Sequence, residues 1–188
     1  MRSIKNICVV FGAALILTGC APSLHPFYDE KDVVFNGALL GSWISGSGEK
    51  LTFTKSGEDH YDLLYVDEDA PARFEARLVE LDGVTFLDLY PHNPDNANGL
   101  FMANIVKGHM LGRVVIGEKS LSIALMDDNR LRDLSDRREL GLAHERIADG
   151  SIVLTAPTSE LQAFVLRTAN DEEVFGAAEI FRRLKPGN

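Results

Sequence analysis

The chain has 188 residues, with 28 acidic and 19 basic side chains and a formal net charge of −9. A chain of this length can fold as one domain with a sizeable hydrophobic core. The acidic balance argues against nucleic acid as a partner, because phosphates repel negative charge. It also argues against a polybasic patch on anionic lipid as a means of membrane attachment.

The first nineteen residues have the pattern of a bacterial secretory signal. Arg2 and Lys5 form a positively charged start, and Ile7 to Leu17 forms a short apolar run. A transmembrane helix needs about twenty apolar residues, so this run is too short to span a bilayer. The run ends in Leu17-Thr18-Gly19-Cys20. That tetrapeptide resembles the lipobox of bacterial lipoproteins, in which an aliphatic residue and two small residues precede a cysteine.

The lipobox resemblance implies a lipid anchor on Cys20. It implies cleavage between Gly19 and Cys20, diacylglycerol on the cysteine sulfur and, in many bacteria, acylation of the new amino terminus with a chain such as palmitate. Two or more acyl chains on one residue hold a protein firmly on a membrane. The alternative interpretation is an ordinary signal peptide whose cleavage site contains cysteine. Since Cys8 lies in the predicted signal, no disulfide is expected in the mature chain.

A second resemblance follows the predicted cleavage site. Pro22 to Tyr28, which contains Ser-Leu-His-Pro-Phe-Tyr, is similar to the mature amino terminus of a group of uncharacterised bacterial lipoproteins. The similarity continues to Trp43 and brings no chemistry with it. Prolines in residues 20–32 disfavour regular structure. We therefore expect a signal peptide over residues 1–19, a lipidated tether over 20–32 and a single β-rich domain over 33–188.

One further motif points to a known fold. Gly41-Ser42-Trp43 is similar to the Gly-x-Trp that opens the first strand of lipocalins, which are eight-stranded barrels. The later lipocalin motif, built around Thr-Asp-x-x-Tyr, is missing from the sequence. The alternative to lipocalin homology is that Trp43 is a core tryptophan in a first strand.

The clearest local prediction is a hairpin at Asp82-Gly83. Asp-Gly between two runs of alternating apolar and polar residues favours a two-residue type I′ turn. That turn places Leu78 opposite Leu87, and Arg77 opposite Asp88 as a cross-strand ion pair.

Further elements follow from period and capping. A helix is predicted from Asp127 or Asp128 to Arg138, a second turn at Asp149-Gly150, and a helix opened by a capping box of Ser159 and Gln162. Asn170 could cap one more short helix. The remaining predicted strands are Glu49–Lys55, His60–Val66, Arg73–Leu81, Met110–Ile116, Ser120–Met126 and Ala178–Leu184. This order predicts a mainly β fold, an antiparallel barrel-like or sandwich sheet with two or three short helices in the C-terminal third.

The sequence contains no catalytic or metal-binding signature. No Gly-x-Ser-x-Gly elbow is present, although Ser45-Gly46-Ser47-Gly48 superficially resembles one. Two acidic loops, at Asp67-Glu68-Asp69 and around Asp95-Asn96, lack the spacing of an EF-hand. No cofactor or metal is expected. The histidines form no compact ligand pair; they are His25, His60, His92, His109 and His144.

These observations predict a non-enzymatic envelope lipoprotein that binds a protein partner or an apolar small molecule. If the barrel has a ligand cavity, the candidate lining residues are Trp43, Phe53, Tyr61 and Phe86, and the alternative is that they fill the core. Other hypotheses are a structural accessory in envelope assembly or secretion, and a hydrolase with a dispersed active site. Ala21 stands where an aspartate would favour inner-membrane retention, so a two-membrane source implies the outer membrane facing the periplasm.

Overall fold

The computed structural model describes residues 19–94, 98–171 and 173–185. The predicted signal peptide, apart from Gly19, lies outside these residues. The described parts contain two 3₁₀ turns, Glu30–Asp32 and Gly37–Leu39, and three α-helices: α1 Gly99–Ala103, α2 Asp128–Asp136 and α3 Thr158–Thr168. The strands are β1 Val33–Val34, β2 Gly41–Ile44, β3 Lys50–Ser56, β4 His60–Asp67, β5 Ala70–Leu81, β6 Val84–Pro91, β7 Met110–Ile116, β8 Ser120–Leu125, β9 His144–Arg146, β10 Ile152–Leu154 and β11 Glu179–Arg183.

Eight strands form a closed antiparallel barrel. Their order is β5-β4-β3-β2-β11-β8-β7-β6, and β6 pairs back with β5 to complete the ring. Strand β1 lies outside the ring and pairs with the end of β5, while β9 and β10 form a separate hairpin. The prediction of a mainly β, antiparallel, barrel-like fold is confirmed. The helices lie mostly in the C-terminal half of the chain.

The predicted hairpin at Asp82-Gly83 is confirmed. Both turn residues have positive φ, 47° and 78°, as a type I′ turn requires. The register is the predicted one, with Leu78 opposite Leu87 and Arg77 opposite Asp88. Because side chains alternate along a strand, this register directs both leucines into the barrel and both charged residues outward.

The expected ion pair across this hairpin does not form. Arg77 binds Glu75 at 2.7 Å and Asp59 at 3.3 Å instead. Asp88 is buried and binds His109 at 2.8 Å. Correct register was therefore not sufficient to pair the charges, since each had a closer partner on the outer surface of the barrel.

The apolar residues form two separate cores on the two sides of the barrel wall. The inner core fills much of the barrel and contains Trp43, Phe53, Tyr61, Leu78 and Leu87. The outer core lies between the wall and a covering layer of α2, α3, the β9–β10 hairpin and the first residues of the described chain. It is lined by Ala21, Phe27, Phe86, Leu131, Leu154, Leu161, Phe164 and Phe175, among others.

Residues 21–28, expected as part of a tether, pack against the barrel in the structure. Ala21, Ser23 and Phe27 are buried. The backbone of Ser23 donates to and accepts from His109 at 2.8 Å, and Leu154 donates to the carbonyl of Pro22 at 2.9 Å. The two prolines still prevent a continuous strand, but the intervening backbone groups find partners in the domain.

Helix capping was predicted correctly for one helix and wrongly for another. Asp127 caps α2 by accepting a hydrogen bond from the N–H of Arg130 at 3.2 Å. The predicted capping box of α3 is wrong, because Pro157 holds the N-cap position and makes no side-chain cap. The amide of Gln162 instead donates to Asp32 at 2.8 Å and to the carbonyl of Phe27 at 3.4 Å.

The short helix predicted after Asn170 is a turn in the described residues, although Glu172 lies outside them. Within the described ranges, no helix has the length and apolar character needed to cross a membrane.

Candidate ligand cavity

A cavity of about 640 Å³ opens at one end of the barrel. Residues toward the start of β3, β5, β7 and β11 and from the middle to the end of β4, β6 and β8 form most of its wall. These parts of the strands meet at the same end of the barrel because neighbouring strands are antiparallel. Most of the lining is apolar, including Leu51, Leu63, Leu89, Ile123 and Phe181. Small-molecule sites in proteins typically measure about 300–1,000 Å³ and are mainly apolar.

The opposite end of the barrel is filled. Trp43, Phe53 and Tyr61 are almost fully buried there, and none of them lines the cavity. The indole N–H of Trp43 donates to the carbonyl of Leu39 at 2.9 Å, which fastens the second 3₁₀ turn across this end. The hydroxyl of Tyr61 binds both backbone groups of Asn36 at 2.7 and 3.1 Å. Three of the four aromatic residues predicted as cavity lining therefore fill the closed end of the barrel.

The fourth candidate, Phe86, lies on the other side of the wall. It is fully buried in the outer core, with its ring 5.9 Å from that of Phe175. The alternation along β3 and β4 did identify the inward face, since Leu51, Leu63 and Tyr65 share it with Phe53 and Tyr61. The pattern gave no indication of which end of that face would stay open.

A polar cluster lies at the mouth of the cavity. The carboxylate of Glu49, only 7% exposed, accepts hydrogen bonds from Ser45, Ser47 and Tyr65, each at 3.1 Å. Glu179 also lines the cavity, and its Oε1 lies 3.3 Å from the same Ser47 hydroxyl. The stretch Ser45-Gly46-Ser47-Gly48 thus holds a carboxylate in place through its two hydroxyls.

Burial disfavours the charged forms of two members of this cluster, Glu179 and Tyr65. Burial, then the neighbouring Glu49, raises the pKa of Glu179 above its ordinary value. Burial and the nearby Glu49 also raise the pKa of Tyr65, which therefore remains a hydrogen-bond donor. An apolar cavity with this mouth can accept hydrogen bonds from a neutral or cationic group, and it repels an anion.

Cys20 and Gly19 belong to the wall of the cavity at its mouth. Cys20 forms a β-bridge with Asp127, and the N–H of Asp128 donates to the carbonyl of Gly19 at 2.6 Å. Burial raises the pKa of the Cys20 thiol to about 11, with smaller contributions from the charges of Asp127 and Asp128. The predicted lipid attachment point therefore lies beside the opening.

The histidines do not converge on the cavity. The nearest approach to catalytic geometry is between Ser135 and His144, whose Oγ and Nε2 atoms are 2.7 Å apart. The Nδ1 atom of His144 lies 2.8 Å from the carbonyl of Leu142, where a catalytic triad would place a carboxylate. Neither side chain lines the cavity. In the described ranges, no group of three or more His, Cys, Asp or Glu side chains could hold a metal ion.

Of the two acidic loops that lack EF-hand spacing, one lies within the described residues. Glu68 and Asp69 adopt positive φ in the tight turn between β4 and β5. Asp95 and Asn96 lie outside the described residues.

No protein-family model, no curated protein and no solved structure matches this chain. The lipobox and lipocalin resemblances remain expectations from the sequence. Any assignment of function therefore depends on the cavity, its mouth and the residues around them.

Proposed function

We propose that the protein is a lipid-anchored lipoprotein of the cell envelope whose barrel binds an apolar small molecule carrying a hydrocarbon chain. The observation that carries this proposal is the cavity of about 640 Å³, lined mainly by aliphatic and aromatic side chains. Each buried methylene group of a ligand would contribute roughly 0.8 kcal/mol. A chain that filled the space would bind without any charged contact.

The mouth selects the polar end of that molecule. Glu49 and Glu179 offer hydrogen-bond acceptors at the rim, and Tyr65 already donates to Glu49. A hydroxyl or ammonium group finds partners there, whereas a carboxylate or phosphate meets negative charge. The ligand we favour therefore has an apolar chain and a neutral or cationic end.

The second part of the proposal is that a lipid anchor holds the barrel at a membrane. The lipobox ending at Cys20 supports a diacylglycerol anchor, and Ala21 after it supports the outer membrane, facing the periplasm, in a two-membrane bacterium. Mass analysis of the mature chain beside a Cys20→Ser variant tests this part. We expect the added mass of the lipid in the wild type alone, and an unlipidated, water-extractable wild type would contradict it.

Binding is tested with N-phenylnaphthylamine, a neutral dye that fluoresces in apolar surroundings. We expect it to bind the unlipidated Cys20→Ser chain, and we expect Leu89→Trp to abolish this by filling the cavity. The matched control is Ile180→Trp, because Ile180 is an exposed residue on the outside of β11 between two lining residues.

The two variants separate cavity binding from surface adsorption. Equal dye binding in Leu89→Trp and Ile180→Trp, with both folded by circular dichroism, would rule out the cavity as the site. Absence of binding by the wild-type domain would refute the proposed function itself.

A further inference from the structure

The loop between β6 and β7 exposes an apolar surface to solvent. Leu100 and Val106 are 78% and 79% exposed, and Phe101 and Ile105 are 54% and 40% exposed. These four residues, which we call the apolar loop, fall within seven positions of each other on and after α1. Scattered exposed apolar residues are ordinary, but a contiguous group marks an interaction surface.

The apolar loop belongs to the open end of the barrel. The connection that carries it leaves β6 at Pro91, whose partner across the sheet is Phe74, and rejoins the barrel wall at Met110. Both Phe74 and Met110 line the cavity. The exposed side chains are therefore carried by the connection that spans two strands at the cavity mouth.

The same loop contacts the amino-terminal segment. A Cβ placed on Gly108 would come within 2.7 Å of the Cβ of Pro22, so the two backbones pack directly against each other. Pro22 is two positions along the chain from Cys20, and Gly108 is two positions from Val106. Each interval spans at most about 7 Å of extended chain. The apolar loop, the cavity mouth and Cys20 consequently occupy one end of the molecule.

The stretch of chain that contains the apolar loop differs in charge from the chain as a whole. Asn98 to Ile116 contains no acidic residue, although the chain carries 28 of them and a net charge of −9. Lys107 follows the apolar loop directly, and its ammonium group lies over the ring of Tyr90 at 5.3 Å. Large apolar side chains beside a lysine, in a stretch of chain that itself contains no acidic residue, suit the boundary between lipid headgroups and acyl chains.

We propose that the apolar loop inserts into the surface of a lipid bilayer, so that the mouth of the barrel faces the membrane and the cavity takes its ligand from the lipid phase. The membrane contact stands on the loop itself, and the source of the ligand rests on the proposed function. The ligand is then a lipid chain that moves from bilayer to cavity without crossing water. The loop adds a second attachment to any lipid on Cys20.

The insertion is tested with Trp reporters in the full mature chain, bound to phosphatidylcholine vesicles whose acyl chains carry bromine. Phe101→Trp should show blue-shifted emission that the bromine quenches. Val115→Trp is the matched control, since Val115 is 65% exposed on β7 and lies about 17 Å beyond Met110. Trp43 is fully buried and gives the same background in both variants. Equal quenching in both variants, or none in either, would overturn the proposal.

A second arm removes the lipid anchor. The Cys20→Ser chain should float with plain phosphatidylcholine vesicles, and Leu100→Asp should weaken this partitioning by at least about tenfold, the scale expected for one leucine withdrawn from lipid. Val115→Asp should leave it unchanged. If the chain does not float and instead forms a dimer that Leu100→Asp dissociates, the loop is a protein interface and the proposal is wrong.

The two proposals fail separately. Dye binding to the cavity without quenching of the Phe101→Trp reporter would keep the proposed function and overturn the membrane contact. Quenching without dye binding would keep the membrane contact and overturn both the proposed function and a ligand drawn from the bilayer.

Discussion

Oδ1 of Asp88 lies 2.8 Å from Nδ1 of His109 at the place where the amino-terminal segment crosses the barrel wall. Asp88 is 2% exposed, and its second oxygen accepts a hydrogen bond from the N–H of Phe27 at 3.3 Å. His109 is paired through both backbone groups with Ser23. A single buried carboxylate thus links a strand of the barrel to the covering layer, directly at Phe27 and through His109 at Ser23.

Replacement of Asp88 should loosen that layer more than the barrel. We expect Asp88→Ala to lower the free energy of unfolding by about 3 kcal/mol, because it leaves buried donors of His109 and Phe27 without partners. Glu80→Ala is the control, since Glu80 is exposed on the neighbouring strand, and it should change stability by less than about 0.5 kcal/mol. Urea denaturation of the variants measures both values, and equal losses would contradict the buried role.

Elements set by residues close together in the sequence were predictable, and those set by contacts between distant residues were not. The Asp82-Gly83 hairpin was predictable because a two-residue turn fixes register without help from distant residues. The closure of the barrel between β2 and β11 was not, since Trp43 and Arg183 are partners from opposite ends of the chain. Gln162 had the spacing of a capping residue, but hydrogen bonds to the amino-terminal segment determined its position.

The candidate site shows the same limit. Alternation identified inward-facing positions along the strands, yet the cavity depends on where the aromatic residues gather. Leu39 and Asn36 belong to a connection outside the barrel strands, and their contacts with Trp43 and Tyr61 close one end. Nothing in the strand pattern indicates which end such a connection will cover.

Close packing at Gly108 gives a second prediction. A Cβ at this position would lie 2.7 Å from the Cβ of Pro22 and 3.2 Å from the carbonyl oxygen of Ser23. Gly108→Ala should therefore displace the amino-terminal segment and destabilise the domain by about 1–3 kcal/mol. Gly37→Ala is the matched control, because a Cβ there meets no atom within 4 Å. Thermal unfolding compares the two, and faster proteolysis near Leu24 should accompany the loss in Gly108→Ala alone.

The thiol of an unlipidated Cys20 should react slowly. With its pKa raised to about 11 from an ordinary value of 9.0, the folded chain holds roughly a hundredfold less thiolate at pH 8 than the unfolded chain. A chain that begins at Gly19, with Cys20 as its sole cysteine, should be alkylated by iodoacetamide about a hundredfold faster in urea than in buffer. Equal rates would show that the thiol is not held in the wall of the cavity.

The stability of the domain should fall as pH rises past the titration of Glu179. Its folded pKa is raised, mainly by burial and then by Glu49. A raised acid pKa favours the neutral form, so its contribution to stability is fully present below the unfolded pKa and is lost as pH rises through the folded pKa. Glu179→Gln cannot ionise and should unfold at a higher temperature than the wild type at pH 7.

The size and the pH dependence of the stability gain in Glu179→Gln test whether charge is its cause. The gain should stay below about 1 kcal/mol, because Glu179 is partly solvated and its charge is screened. It should vanish at pH 4, where the wild-type side chain is also neutral. Glu118→Gln, on an exposed turn, should show no such pH dependence. A gain for Glu179→Gln that persists unchanged at pH 4 would indicate a cause other than charge.

The two glutamates at the mouth should also decide which amphiphiles enter the cavity. Dodecanol, dodecylamine and dodecanoate share one hydrocarbon chain and differ only in the charge of the polar end. Glu49 is buried beside the opening and Glu179 lines it, so we expect dodecanoate to displace the dye at least about tenfold more weakly than the other two at pH 7.

Neutralising the mouth should remove that preference and leave chain binding intact. In the Glu49→Gln, Glu179→Gln double variant, the affinity for dodecanoate should rise toward that for dodecanol, because both then meet an uncharged rim above the same apolar wall. The affinity for dodecylamine should fall, since its ammonium loses its carboxylate partners. Glu118→Gln should alter none of the three. A wild-type protein that prefers dodecanoate would mean that the head group lies away from this rim and that the chain enters the barrel in another orientation.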